Sequence, residues 1–201
     1  MLVVLAGCEF HHGQLGVPDD VPQHRDDAAV DGRADARADA PIDAPPPPPC
    51  VTATCGAKGG VCTNGVCVID SDLQIGVTCP SGMPCKVICS GTISCQNGGV
   101  DCGGATSCEV DCIGGVACQN NGVDCGSAAT CTVRCIGQNA CQNGQGDQAV
   151  ECRASICTVT CDGDTACDDG IDVTGGTCTS HCCNGACSSG TDTCANNNVC
   201  N

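Results

Sequence analysis

The sequence predicts an all-β protein whose body is a disulfide-stapled β-solenoid of short two-strand coils, with a repeat of about 23 residues. Three observations carry this. First, 26 of the 27 cysteines lie between Cys50 and Cys200, and 19 of them fall on one frame. Second, Cys79, Cys102 and Cys125 are 23 residues apart, and each opens a unit C-x5-C-x3-C-x5-C. Third, the chain has no Trp, no Tyr and one Phe (Phe10, outside the repeats). Aromatic side chains supply the largest single burials in a core. Without them, a thin cross-linked stack is the available solution for 201 residues.

Residues 1 to 8 form the first element. Met1-Leu2-Val3-Val4 is apolar and runs into Leu5-Ala6-Gly7-Cys8. This resembles the lipobox of bacterial lipoproteins, in which the cysteine is lipidated and becomes the mature N-terminus. The resemblance implies a lipid on Cys8 and a membrane as partner. Only seven residues precede Cys8, none of them Lys or Arg. They read as the tail of an h-region whose start codon was placed too late. Setting Cys8 aside leaves 26 cysteines, an even number as full pairing requires. In such lipoproteins, Glu9 rather than Asp after the lipidated cysteine implies the outer membrane.

Residues 9 to 49 change character. Asp, Ala and Pro dominate, as in Ala34-Asp35-Ala36-Arg37-Ala38-Asp39-Ala40, and the run ends in Pro45 to Pro49. Nine acidic residues face three arginines here. Such a segment buries too little to offset its chain entropy, so a disordered linker with a stiff polyproline end is expected. Fully extended, it would reach on the order of 120 Å. Asp-Ala repeats followed by polyproline are similar to the stalks of myxobacterial-type envelope lipoproteins, which implies a tether holding the remainder away from the lipid. His11, His12 and His24 are scattered in this tether and read as incidental.

Residues 50 to 76 read as a separate small disulfide module. Cys50, Cys55, Cys62 and Cys67 lie among Gly56, Gly59, Gly60 and Gly65. Four cysteines allow three pairings, and sequence does not choose among them.

Residues 77 to 201 are the repeat body. The first unit carries Cys79, Cys85, Cys89 and Cys95. The second carries Cys102, Cys108, Cys112 and Cys118. The third carries Cys125, Cys131, Cys135 and Cys141, with four extra residues after Asn143. The fourth carries Cys152, Cys157, Cys161 and Cys167. The fifth lacks its first cysteine and keeps Cys178, Cys182 and a shifted Cys187. Cys183, Cys194 and Cys200 fall off the frame, and this last stretch reads as a cap. All 26 are assigned to structural disulfides of undetermined pairing.

Within each unit V-x-C recurs twice, as in Val100/Cys102 and Val110/Cys112. Residues i and i+2 of a strand share a face. Val and Cys therefore point inward, while Asp101, Asp111, Asp124, Arg134, Glu151 and Thr160 point outward. Stacked coils set equivalent residues about 4.8 Å apart. Cys112, Cys135, Cys161 and Cys182 then form one column, and Cys108, Cys131, Cys157 and Cys178 another. Asn97, Asn120 and Asn143 share a turn position and predict an asparagine ladder.

The chemistry is weighed next. A net charge of −16 argues against nucleic acid, which needs clustered Lys and Arg. Past residue 50 only Lys58, Lys86, Arg134 and Arg153 are basic. Composition resembles that of metallothioneins, but their C-x-C pairs are absent, so disulfides are expected instead of thiolate-held metal. Asp162, Asp164, Asp168, Asp169 and Asp172 concentrate carboxylates around adjacent turns; they read first as a solvated acidic surface, with calcium as a weak candidate ligand and no other cofactor expected. Ala166 and Cys167 break an EF-hand pattern. Thr130-Cys131-Thr132 and Thr177-Cys178-Thr179 resemble the TCT face of insect antifreeze solenoids, but Pro84/Lys86, Ser107/Glu109 and Ile156/Thr158 interrupt the array. His181 lies beside Cys182 and Cys183, which read as cap cysteines. No nucleophile–base–orienter spacing and no C-x-x-C occurs, so no enzyme is expected. The resulting expectation is a non-catalytic, surface-displayed lipoprotein with a structural or binding role, touching a protein or glycan. A calcium- or zinc-binding envelope protein is the alternative.

Overall fold

The computed structural model describes residues 49–144, 148–187, 191–192 and 196–200, the last two stretches by backbone alone. The lipobox, Cys8, the Asp/Ala/Pro linker and Cys194 lie outside the described residues, as does the side chain of Cys200.

The chain opens with one helical turn, α1 (Thr52–Gly56), and a hairpin of β1 (Val61–Thr63) and β2 (Val66–Asp70). Thereafter short and long strands alternate. The short ones are β3 (Val77–Thr78), β5 (Val100–Asp101), β7 (Val123–Asp124), β9 (Val150–Cys152), β11 (Gly170–Val173) and β13 (Thr191–Asp192). The long ones are β4 (Cys85–Cys89), β6 (Ser107–Ile113), β8 (Thr130–Ile136), β10 (Ile156–Asp162), β12 (Thr177–Cys183) and β14 (Asn196–Cys200). Each long strand pairs in parallel with the next long one, and each short strand with the next short one. This gives an eight-stranded sheet β1-β2-β4-β6-β8-β10-β12-β14 and a six-stranded sheet β13-β11-β9-β7-β5-β3. The protein is a β-solenoid whose two sheets face each other across a narrow interior.

The V-x-C alternation sets the register. Cys85, Cys108, Cys131, Cys157 and Cys178 stand in one file, and Cys89, Cys112, Cys135, Cys161 and Cys182 in a second. Between them run Val87, Val110, Val133 and Val159, each fully buried. Val77, Val100, Val123, Val150 and Ile171 face them from the other sheet. Burying a valine contributes about 1.5–3 kcal/mol, so two such files make a real if slender core.

In the four coils from Cys79 to Cys167, each bridge closes within its own coil. Cys79–Cys85, Cys102–Cys108 and Cys125–Cys131 link a short strand's end to the next long strand. Cys89–Cys95, Cys112–Cys118, Cys135–Cys141 and Cys161–Cys167 link the long strand to the turn after it. Cys152–Cys157 and Cys182–Cys187 repeat the scheme one residue shorter. Closing so small a loop removes roughly 2.4 kcal/mol of unfolded-chain entropy per bridge, near the low end for disulfides. The gain comes from repetition. Disulfides at this density belong to an oxidising compartment outside the cytoplasm.

The pairing refines three expectations. The segment 50–76 is not a freestanding module. Its bridges are Cys50–Cys62 and Cys55–Cys67, but β2 pairs in parallel with β4 and Ile69 packs beneath Val87. The hairpin thus covers the first coil with an antiparallel edge. The last stretch, though its cysteines are off the frame, still extends the stack: β13 continues β11 and β14 continues β12. Stacking needs two strand-competent segments, and the cysteine spacing is dispensable. In the fifth unit Val173 takes the place of Cys152, so Cys178 has no local first cysteine. It is nonetheless disulfide-bonded, as is Cys183. Finally, Asp111 points outward but is buried, because Lys86 and Arg134 from the neighbouring strands close over it.

Candidate functional site

The six-stranded sheet carries the most concentrated charge. Outward positions of β3, β5, β7, β9 and β11 hold Thr78, Asp101, Asp124, Glu151 and Asp172 in one file. Parallel pairing sets neighbours about 4.8 Å apart at the backbone. The four carboxylates therefore repel one another, and the fold answers in two ways. Asp101 and Asp124 each turn one oxygen back to accept from the backbone of Gly103 (2.7 Å) and Gly126 (2.8 Å). Arg153, reaching across from the end of β9, pairs with Asp124 and with Glu151 (3.1 Å). The Asp124 carboxylate, then that of Glu151, holds the guanidinium above its ordinary pKa, with the Asp124 hydrogen bond adding.

Beside this file lies a cleft of about 450 Å³, lined by Asn121, Asp124, Asn143, Gln148, Glu151 and Asp172. Gln148 lines the cleft, and its Oε1 is shielded from solvent with no hydrogen-bond donor among the described residues.

The acidic residues singled out from sequence are spread over two sheets. Asp162 ends β10 and accepts from Asn184 Nδ2 (2.6 Å). Asp164 lies in the following turn, its carbonyl accepting from Asn139 N (3.1 Å). Asp169 Oδ2 accepts from Asn143 N (2.6 Å), pinning the start of the inserted loop. Asp168 precedes it in the same turn. Asp172 belongs to the other sheet and to the file above. Sequence reasoning had marked Asp101, Asp124 and Glu151 as outward-pointing without joining them to Asp172. The recurring V-[DE]-C at 100–102, 123–125 and 150–152 was the available signal.

The outer face of the eight-stranded sheet has a different character. Lys86 bonds Glu109 and lies 3.2 Å from Asp111, which also takes Arg134 at 3.2 Å. The Glu109 hydrogen bond raises the Lys86 pKa; burial acts the other way, and Asp111 adds to the rise. Beyond this knot the face turns to threonine: Thr132, Thr158 and Thr179 in one file, Thr160 beside them, and then His181 between Thr160 and Asn198.

Turn side chains finish the rungs. The expected asparagine ladder is half formed. Asn120 Nδ2 donates to Asn97 Oδ1 (3.1 Å), and Asn143 Nδ2 donates to the Gln148 carbonyl (3.3 Å). One residue earlier, a glutamine ladder runs unbroken: Gln96 to Gln119 and Gln119 to Gln142, each 3.1 Å. Q-N recurs at all three turns, and the longer amide is the one that spans the rungs.

No protein-family model matches this chain, no curated protein matches its sequence, and no solved structure matches its fold.

Proposed function

We propose that this protein is a non-catalytic envelope lipoprotein, anchored through Cys8 and carried on the Asp/Ala/Pro linker. Its solenoid is a durable surface that binds a protein or glycan partner. The observation supporting the binding role is the pair of regular outer faces, one acidic and one threonine-rich, each stacked strand by strand on a core locked coil by coil. Such faces present hydrogen-bonding groups at a fixed pitch, which suits an extended or repetitive partner. The anchor rests on the Leu5-Ala6-Gly7-Cys8 sequence.

Two measurements test the reading. Intact mass of the membrane-extracted protein should show the diacylglycerol adduct, and Cys8→Ser should release the protein into the soluble fraction. A glycan and envelope-extract binding screen should give saturable binding that weakens when Thr132, Thr158 and Thr179 are replaced by lysine. An unlipidated protein, or faces whose replacement leaves binding untouched, contradicts it.

A second reading, calcium binding, draws on the carboxylate file and on the Gln148 Oε1 beside it, which has no donor among the described residues. Arg153 already neutralises the middle of that file, which places this reading second. A rise in thermal midpoint with calcium, lost in Glu151→Gln, would favour it.

A further inference from the structure

The interior contains sulfur from neighbouring coils at contact distance. Cys79 Sγ lies 3.9 Å from Cys108 Sγ, and Cys125 Sγ lies 3.9 Å from Cys157 Sγ, in each case between two different disulfides. Cys79, Cys102 and Cys108 bring three Sγ atoms within 4.8 Å of one another, as do Cys125, Cys152 and Cys157. All six residues are buried.

Tetrahedral zinc bound by four thiolates at about 2.3 Å has sulfur–sulfur edges of about 3.8 Å. The gap between rungs already has that length. Across a rung, the Cα atoms stand 6.0 Å apart for Cys79–Cys85 and for Cys102–Cys108, and 5.9 and 6.5 Å apart for Cys125–Cys131 and Cys152–Cys157. Opening the bond lets the two sulfurs separate by side-chain rotation while the backbone stays in place.

We propose that reducing two neighbouring rungs converts each pair into a buried tetrathiolate site for a divalent d10 ion of the zinc class. One site uses Cys79, Cys85, Cys102 and Cys108; the other uses Cys125, Cys131, Cys152 and Cys157. The missing C-x-C pairs do not bear on this. Each quartet is drawn from coils 23 or 27 residues apart, so its ligand spacing exists only once the chain is stacked. The proposal stands independently of the surface-binding reading.

The chemistry balances. Per rung, one tertiary phosphine takes oxygen from one water, becomes its oxide and delivers two electrons to the S–S bond, giving two thiols. Four thiols then bind one M2+, releasing four protons and leaving a tetrathiolate of charge −2. Because the quartet exists only when the coils are stacked, metal binding is coupled to folding and favours the solenoid.

The test uses the full chain, reduced with a phosphine under argon and titrated with Zn2+, with Co2+ as the spectroscopic probe. The expected result is one ion per four protected thiols, the tetrathiolate charge-transfer band of Co2+, and a sheet signal in circular dichroism that depends on metal. Alkylation mapping should show Cys79, Cys85, Cys102 and Cys108 protected together. In Cys79→Ser with Cys85→Ser, protection at Cys102 and Cys108 should vanish, while Cys125, Cys131, Cys152 and Cys157 stay protected. Three results would overturn the proposal: no ion bound, an ion bound without sheet signal, or protection of sequence neighbours such as Cys85 with Cys89. Continued protection of Cys102 and Cys108 in the double variant would overturn the quartet as drawn.

Discussion

Gly103 and Gly126 occupy the same turn position in neighbouring coils, immediately after Cys102 and Cys125, with φ of +52° and +55°. An alanine at either site therefore meets the same left-handed backbone cost, about 1 kcal/mol. Their surroundings differ. A Cβ on Gly103 finds its nearest atoms at 3.7 and 3.8 Å, an ordinary contact. A Cβ on Gly126 lands on the Gly103 backbone, 3.0 Å from its carbonyl carbon and nitrogen and closer still to its oxygen. Backbone below cannot swing aside, so the coils must part, at an additional cost of roughly 1–3 kcal/mol. Gly103→Ala should thus cost about 1 kcal/mol and Gly126→Ala about 2–4 kcal/mol. Guanidinium unfolding under non-reducing conditions measures both. With a slope of about 4 kcal/mol/M, the midpoints should differ by roughly 0.5 M. Equal shifts in the two variants would refute the stacking of these turns, because the local conformational cost is matched and only the coil underneath distinguishes them.

Other expectations concern the outer faces. Asp111→Ala leaves Lys86 and Arg134 crowded without their shared partner; it should cost about 1–2 kcal/mol, with the loss shrinking at high salt, as followed by denaturation midpoint. Lys86 has a folded-state pKa above its unfolded value. Its contribution is complete below the unfolded pKa of about 10.4 and disappears as pH climbs through the higher folded value. The stability difference between the native protein and Lys86→Met should therefore be flat from pH 7 to about 9.5 and close above about pH 10.4. Gln119 both donates and accepts in the amide ladder, so Gln119→Ala should cost about 1–2 kcal/mol and speed amide exchange in the adjoining turns.

Much of the solenoid was legible because its periodicities are covalent and local. The 23-residue spacing of Cys79, Cys102 and Cys125 gave the coil length, and V-x-C gave the inward face of both strands. The two cysteine files follow from those facts alone. Features that depend on the third dimension were not legible. Pairing within a coil could not be chosen over pairing between coils, since both keep the spacing. Asp111 reads as solvated until Lys86 and Arg134 are seen to arrive from adjacent strands. Asn97 and Gln96 are equally periodic, and only the bonds seen across the coils show which forms the longer ladder. A buried alanine precedes the cysteine in the turns at Ala117, Ala140, Ala166 and Ala186. It passed unnoticed because alanine is common everywhere in this chain. The final coil was hidden for the opposite reason: with its cysteines out of frame, nothing in the spacing marked Thr191–Asp192 and Asn196–Cys200 as rungs. The carboxylate file was missed because Asp172 was grouped with its sequence neighbours and not with Glu151, its neighbour across the sheet.

The measurement closest to the account's centre is a disulfide map of the native protein, digested at acid pH without reduction and read by tandem mass spectrometry. From Cys79 to Cys167 the structure predicts bridges confined to single coils, Cys79–Cys85 and Cys89–Cys95 in the first, Cys102–Cys108 and Cys112–Cys118 in the second, Cys125–Cys131 and Cys135–Cys141 in the third, Cys152–Cys157 and Cys161–Cys167 in the fourth, with Cys50–Cys62 and Cys55–Cys67 at the start. Peptides joining different coils, such as Cys85 to Cys108, or free thiols at these positions, would contradict it.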